Sequence, residues 1–176
     1  MAGPRRWFHV EFNTFGTWLP GDPRGFRDHD HRIHSSGDYH HPPPPSEHQA
    51  LRRSAQVSLH KQPVLLERGQ QEQVGICLRD SLNAQGLRVH AIAVVSNHAH
   101  VLTSGTVDDA SLRNVVGNAK RKSSLLLQAE IPGSLWQRKI GVYPVRDESH
   151  CVNVRRYIMA HADQGAWVWE DGDCRD

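Results

Sequence analysis

Cysteine is scarce in this chain. Three thiols in 176 residues, Cys77, Cys151 and Cys174, are odd in number, widely spaced and without a CxxC pair. That pattern excludes a disulfide framework and a thiolate zinc site of the paired-cysteine kind, and it predicts reduced thiols. Long apolar runs are also missing. No segment approaches the ~20 apolar residues that span a bilayer, and the opening MAGPRRWFHVEF has no signal-peptide core. The expectation is a cytoplasmic protein with no membrane partner. Tyrosine is rare as well, with three residues at Tyr39, Tyr143 and Tyr157, so any chemistry that needs a phenol has few places to be. There is no internal repeat.

What is present is an uneven charge. The formal net charge is only +2. Between Ser111 and Ala160, however, nine basic residues face three acids. A cationic block of this kind favours a polyanionic partner. The end reverses the sign, with Asp163, Glu170, Asp171, Asp173 and Asp176 against Arg175, so residues 168–176 form an acidic tail.

At this length the chain is read as a single domain, 1–176. WFHVEFNT alternates and predicts a strand, with Phe8, Val10 and Phe12 on one face and Trp7, His9, Glu11 and Asn13 on the other. Residues 16–45 follow as an irregular insertion rich in proline, glycine and histidine. Ser46 with Gln49 suggests a capped helix carrying Leu51, Ala55 and Leu59. Val74, Leu78 and Leu82 mark a helix over 67–85 with Gly86 after its end. Val89–Thr103 reads as two apolar strands separated by Ser96-Asn97. Thr106 with Asp109 caps a third helix over 107–128. Residues 140–145 make an edge strand at best, and a final helix spans about 147–161. This order predicts an α+β fold, a ferredoxin-like antiparallel sheet with helices packed on one face and a long insertion after the first strand.

The second strand of that hairpin carries His98 and His100. Alternation puts both imidazoles on one face and Ala99 and Val101 on the other. Two imidazoles on a rigid face are half of a metal site. The pair alone is weak, because 13 histidines in 176 positions give roughly one His-x-His by chance, and His29-x-His31 is a second instance. A cluster of loop histidines, His29, His31, His34, His40 and His41, has no cysteine or rigid frame to make a zinc site. Tyr157 supplies context. Arg155 and Arg156 precede it, cations that gather phosphate and favour an ionised phenol. His161 lies four residues later, on the same helix face. A divalent cation on such a set serves phosphoryl chemistry. Lys120, Arg121 and Lys122 suit contacts to a nucleic-acid backbone. Trp136 has the ring to stack on an unpaired base, although a tryptophan after Leu135 also fits a core.

Together these residues resemble the single-tyrosine HUH transposases, including the REP-associated members. VVSNHAHVL is similar to that family's histidine–hydrophobic–histidine strand, LWQRKIG to its Trp-Gln segment, and RRYIMAH to the helix segment with its nucleophile. GTWLPGDPRGF is similar to an insertion in some members. The resemblance spans about 7–167. It implies a metal-dependent DNA transposase, dimeric, that cleaves and rejoins single-stranded DNA, at hairpin-containing sites, through a 5′-phosphotyrosine link and without ATP. It implies Tyr157 as nucleophile and His98 and His100 as ligands of Mg²⁺ or Mn²⁺. His161 takes the position of the third ligand, usually an amide, with Asp163 or Gln164 as alternatives. An imidazole there shifts preference toward Mn²⁺ or Zn²⁺. In this family the tyrosine helix can complete a site within one chain or across a dimer. A rolling-circle-type nickase and a catalytically silent DNA-hairpin-binding domain are the competing functions. An RRM-like RNA-binding module lacks the exposed aromatics it would need.

Overall fold

The computed structural model describes residues 4–22, 26–27, 33–34, 44 and 46–172. The tail beyond 172 lies outside them, as do His29, His31, Tyr39, His40 and His41 of the histidine-rich insertion. Among the described residues no helix is long and apolar enough to cross a membrane.

The elements in order are β1 (Arg6–Asn13), β2 (Phe26–Arg27), β3 (Ile33–His34), α1 (Gln49–Val57), α2 (Arg68–Ala84), β4 (Arg88–Val94), β5 (His98–Gly105), α3 (Asp109–Leu126), β6 (Gly141–Val145) and α4 (Glu148–Met159). A 3-10 turn over Ala160–Gln164 and β7 (Trp167–Glu170) complete the chain. Residues Phe15–Val64 form one compact unit, which contains the β2–β3 ribbon and α1. The remainder forms the other.

The larger unit is built on a five-stranded sheet in the order β6-β1-β5-β4-β7, antiparallel at every pairing. Without β7, this order and its crossovers are those of the ferredoxin-like split βαβ. Strand pleating sorts the side chains into two layers. Phe8, Val10, Phe12, Ile92, Val94, Ala99 and Val101 are buried on one side with Val74, Leu78, Leu112 and Val116 from α2 and α3. Leu102, Ala91 and Ala93 point the other way and meet Cys151, Val154 and Ile158 of α4. So α2 and α3 form the helical layer expected of the fold, and α4 covers part of the opposite face.

Helix ends are fixed by carboxylates. Glu67 and Gln70 make a reciprocal capping box at α2, and Gly86 follows that helix with φ of 85°, a conformation open to glycine without cost. At α3 the cap is Asp108, whose carboxylate accepts from the Ser111 amide at 2.7 Å, not Thr106. At α1 the expected Ser46 cap is absent: a turn intervenes, and His48 precedes the helix with φ of 60° and no side-chain cap. β7 comes from residues read as the edge of a polar tail. Its Trp167 ring packs over Gly75 of α2 so closely that an added Cβ would lie 2.1 Å from Cζ3. The three-thiol expectation also changes: Cys77 is free, whereas Cys151 is disulfide-bonded. Spacing alone carried no sign of that pairing.

Candidate metal and tyrosine site

The β4–β5 hairpin turns at residues 95–97, closed by the Val95 amide donating to the His98 carbonyl at 2.8 Å. Register places His98 opposite Asn13 and His100 opposite Glu11 and Ala93. Both imidazoles therefore stand on the α4 face. That helix approaches the sheet through the small side chains Ala91 and Ala93, and it is anchored there by Val154 and Ile158. Full burial of Ile158 contributes about 1.5–3 kcal/mol. Ile158 sits one position from Tyr157 and three from His161, so the same packing that seats the helix aims both residues at the histidine strand.

The result is a cluster within one chain. His98, His100 and His161 each offer a ligand atom, all within 4.8 Å of one another. His100 and His161 are buried, at 3% and 4% exposure. The Tyr157 ring lies 5.2 Å from the His100 ring and 4.9 Å from the His161 ring, centroid to centroid. Tyr157 itself is half exposed, so the ring has a protein side and a solvent side.

Hydrogen bonds set the tautomers of two of the three rings. His161 Nδ1–H donates to the carbonyls of Tyr157 and Ile158 at 3.0 and 3.2 Å. His98 Nδ1–H donates to Asn97 Oδ1 at 2.6 Å. Asn97 is held in turn, its carbonyl accepting from both the amide and the hydroxyl of Thr14. His100 Nδ1 meets His9 Nε2 at 3.1 Å. The oxygen acceptors place the proton of His98 and His161 on Nδ1 and their lone pairs on Nε2, the arrangement that suits imidazole ligands backed by a supporting layer. The nitrogen–nitrogen contact of His100 with His9 is compatible with either tautomer. Burial and the neighbouring imidazoles lower the pKa of His100 to about 2, and burial foremost lowers that of His9 to about 4. His100 is thus a neutral ring at ordinary pH, as a ligand must be. Three imidazoles whose ligand atoms lie within 4.8 Å of one another are a donor set that suits a borderline divalent cation.

The other predicted residues separate. Lys120 is buried, and its ammonium donates to the carbonyls of Gln137 and Lys139 at 2.6 and 3.3 Å. Burial brings its pKa down to about 8. It braces the segment after α3 instead of facing solvent. Trp136 is a core residue: it packs edge-on against Phe12 and donates Nε1–H to Ser123 Oγ at 2.9 Å. Arg155 pairs with Glu170 of β7 at 2.7 Å, tying α4 to the last strand. Arg121, Lys122 and Arg156 are exposed. Arg121 lines an open groove of about 490 Å³ between α3 and residues 133–140, with Arg138 across from it. Arg138 was visible in the sequence only as one member of the cationic block. His9 and Asn97 were not foreseen as supports, although the alternation of β1 had put His9 on the correct face. Asp163 and Gln164 fall in the 3-10 turn, where both are exposed, and Asp163 is not part of the three-histidine cluster.

The family model described as IS200-like transposase matches residues 57–161. A solved structure described as the REP-associated tyrosine transposase bound to a REP hairpin is similar over 91% of this chain and 68% of its own, at 11% identity and a TM-score of 0.49. No curated protein matches.

Proposed function

This chain belongs to the IS200-like transposase family, and on that premise we propose that it cleaves and rejoins single-stranded DNA with Tyr157 as nucleophile and a divalent cation on His98, His100 and His161. The observation that carries the proposal is the placement of Tyr157 against three imidazoles whose Nδ1 atoms are all engaged. One chain brings these groups together, which supports a site completed within a protomer.

A cation at the cluster supplies electrostatic stabilisation for charge developing on the phosphate. The protein's own residues do the rest. The solvent side of Tyr157 admits a backbone phosphate, and Arg156, on the exposed side of the same helix, draws it in. The Tyr157 oxygen forms a bond to phosphorus as the bond from phosphorus to the 3′-oxygen breaks. The phenolic proton passes to solvent, and the 3′-oxygen leaves as a hydroxyl. The product is a 5′-phosphotyrosine that conserves the ester, so a 3′-hydroxyl of another strand reverses the step and rejoins the DNA. No ATP enters this balance.

Binding draws on Arg121, Lys122 and Arg138, cations along α3 and its groove. Phosphate contacts of this type fix position without reading sequence. Hairpin-containing DNA, a homodimeric assembly and Mn²⁺ in preference to Mg²⁺ belong to the same reading. The imidazole at position 161 supports the last of these, being softer than an amide oxygen. Incubating the protein with hairpin-flanked single strands tests the proposal: Mn²⁺ produces site-specific cleavage with a free 3′-hydroxyl, and EDTA abolishes it. Hairpin binding without cleavage in any divalent metal would mark a silent binding domain instead.

A further inference from the structure

A ligating imidazole is usually oriented by a carboxylate or a backbone carbonyl on its second nitrogen. His161 follows that habit through its own helix carbonyls. His100 does not. The nearest carboxylate, Glu11, has Oε2 at 3.9 Å from His100 Nδ1, beyond hydrogen-bond reach. Its other oxygen accepts from the Tyr143 hydroxyl at 2.8 Å. The atom within reach is Nε2 of His9, at 3.1 Å. His9 projects from β1, between β6 and β5, where its neighbours across the sheet are Leu102 and Tyr143. Its ring is flanked by those of Tyr143 and Tyr157 at 6.0 and 6.1 Å.

We propose that His9 is a positioning residue for the candidate metal site, its Nε2 accepting from His100 Nδ1–H and so holding the His100 Nε2 lone pair toward His98 and His161. This rests on the three-histidine reading of the site. The opposite assignment, His9 donating, would put the proton of His100 on Nε2 and close that nitrogen to a cation. The choice of an imidazole over a carboxylate has a consequence. A carboxylate acceptor adds negative charge behind the ligand. A neutral imidazole orients His100 and adds none, leaving the positive charge of the cation facing the DNA phosphate.

Two measurements on the full chain test this. In the metal-free protein, long-range ¹H–¹⁵N NMR of the histidine rings reports tautomers directly. His100 is expected as the Nδ1–H form in wild type and in His9→Gln, whose side-chain oxygen also accepts. His9→Phe, which keeps a ring but no acceptor, is expected to shift His100 toward the Nε2–H form. Mn²⁺ affinity, read by electron paramagnetic resonance of the free ion, is expected to fall ~10–100-fold in His9→Phe and to recover in His9→Gln. An Nε2–H tautomer of His100 in wild type overturns the proposal, as does wild-type Mn²⁺ affinity in folded His9→Phe. If the phenylalanine variant fails to fold, the wild-type tautomer still decides. Absence of Mn²⁺ binding in wild type, with the Nδ1–H tautomer present, refutes the metal reading and leaves the His9–His100 orientation standing.

Discussion

Tyr157 and His161 stand one helical turn apart, with ring planes at 90° and centroids 4.9 Å apart. The spacing of four residues makes them neighbours, but the contact to the sheet makes them a site. His161 is the hinge between the two: its Nδ1 is spent on the helix's own carbonyls, and its ring is 4.7 Å from that of His100.

Replacing His161 therefore separates binding of metal from the rest of the fold. His161→Ala is expected to weaken Mn²⁺ at least 10-fold, judged by isothermal titration, while circular dichroism remains that of the wild type. His161→Gln, which offers an amide oxygen, is expected to restore binding and to shift preference toward Mg²⁺. Equal Mn²⁺ affinity in wild type and His161→Ala would remove this residue from the ligand set.

Lys120 and Arg121 are adjacent cations with opposite expected behaviour. Lys120→Met leaves the carbonyls of Gln137 and Lys139 without that donor and should cost about 1–3 kcal/mol of stability, with little change in the salt dependence of DNA binding. Arg121→Ala should leave urea unfolding nearly unchanged and reduce the slope of log affinity against log salt by ~0.7, one single-strand phosphate contact. The reverse pattern would place the DNA surface elsewhere.

Much of this site is legible from spacing, because two periodicities created it. Alternation on a strand joins His98 to His100, and the helical turn joins Tyr157 to His161. What pairs the two couples is nonlocal. His9 reaches His100 only through the β1–β5 register, and no local pattern announces that register. Lys120 misleads for a different reason. It reads as the first of three charges, yet it lies four residues after Val116 and three before Ser123, on the buried stripe of α3. Periodicity held that information, and the charge run obscured it. β7 was hidden because WVWE is short and leads into acids. It exists by pairing with β4 and by packing on Gly75, both tertiary causes.

That packing is testable with two glycines. Gly75→Ala drives a methyl into the Trp167 ring and should destabilise by about 1–3 kcal/mol through overpacking. Gly117→Ala, in the middle of α3 with nothing within 4 Å of the added carbon, should stabilise by about 0.5–1 kcal/mol. Urea midpoints measure both, and equal effects would contradict the placement of β7.

Acid should weaken the metal-free fold in a defined window. His9 and His100 stay neutral in the folded state down to about 4 and about 2, against an unfolded value of 6.5. Between those limits the unfolded chain binds protons that the folded chain refuses. Stability present above pH 6.5 is therefore lost as pH falls, by at most ~1.4 kcal/mol per pH unit for each group. Urea unfolding in EDTA at pH 7, 6 and 5 should show the decline, shallower in His9→Phe. Parallel slopes in the two proteins would mean that His9 titrates normally.

On the proposed function, Tyr157 takes the DNA strand onto itself. Wild-type protein incubated with Mn²⁺ and hairpin-flanked single-stranded DNA, then digested and analysed by mass spectrometry, should yield a nucleotide phosphate on the peptide containing Tyr157. Tyr157→Phe should bind the same DNA and the same metal and yield no adduct. A covalent adduct that persists in Tyr157→Phe, or maps to Tyr143, would contradict the account.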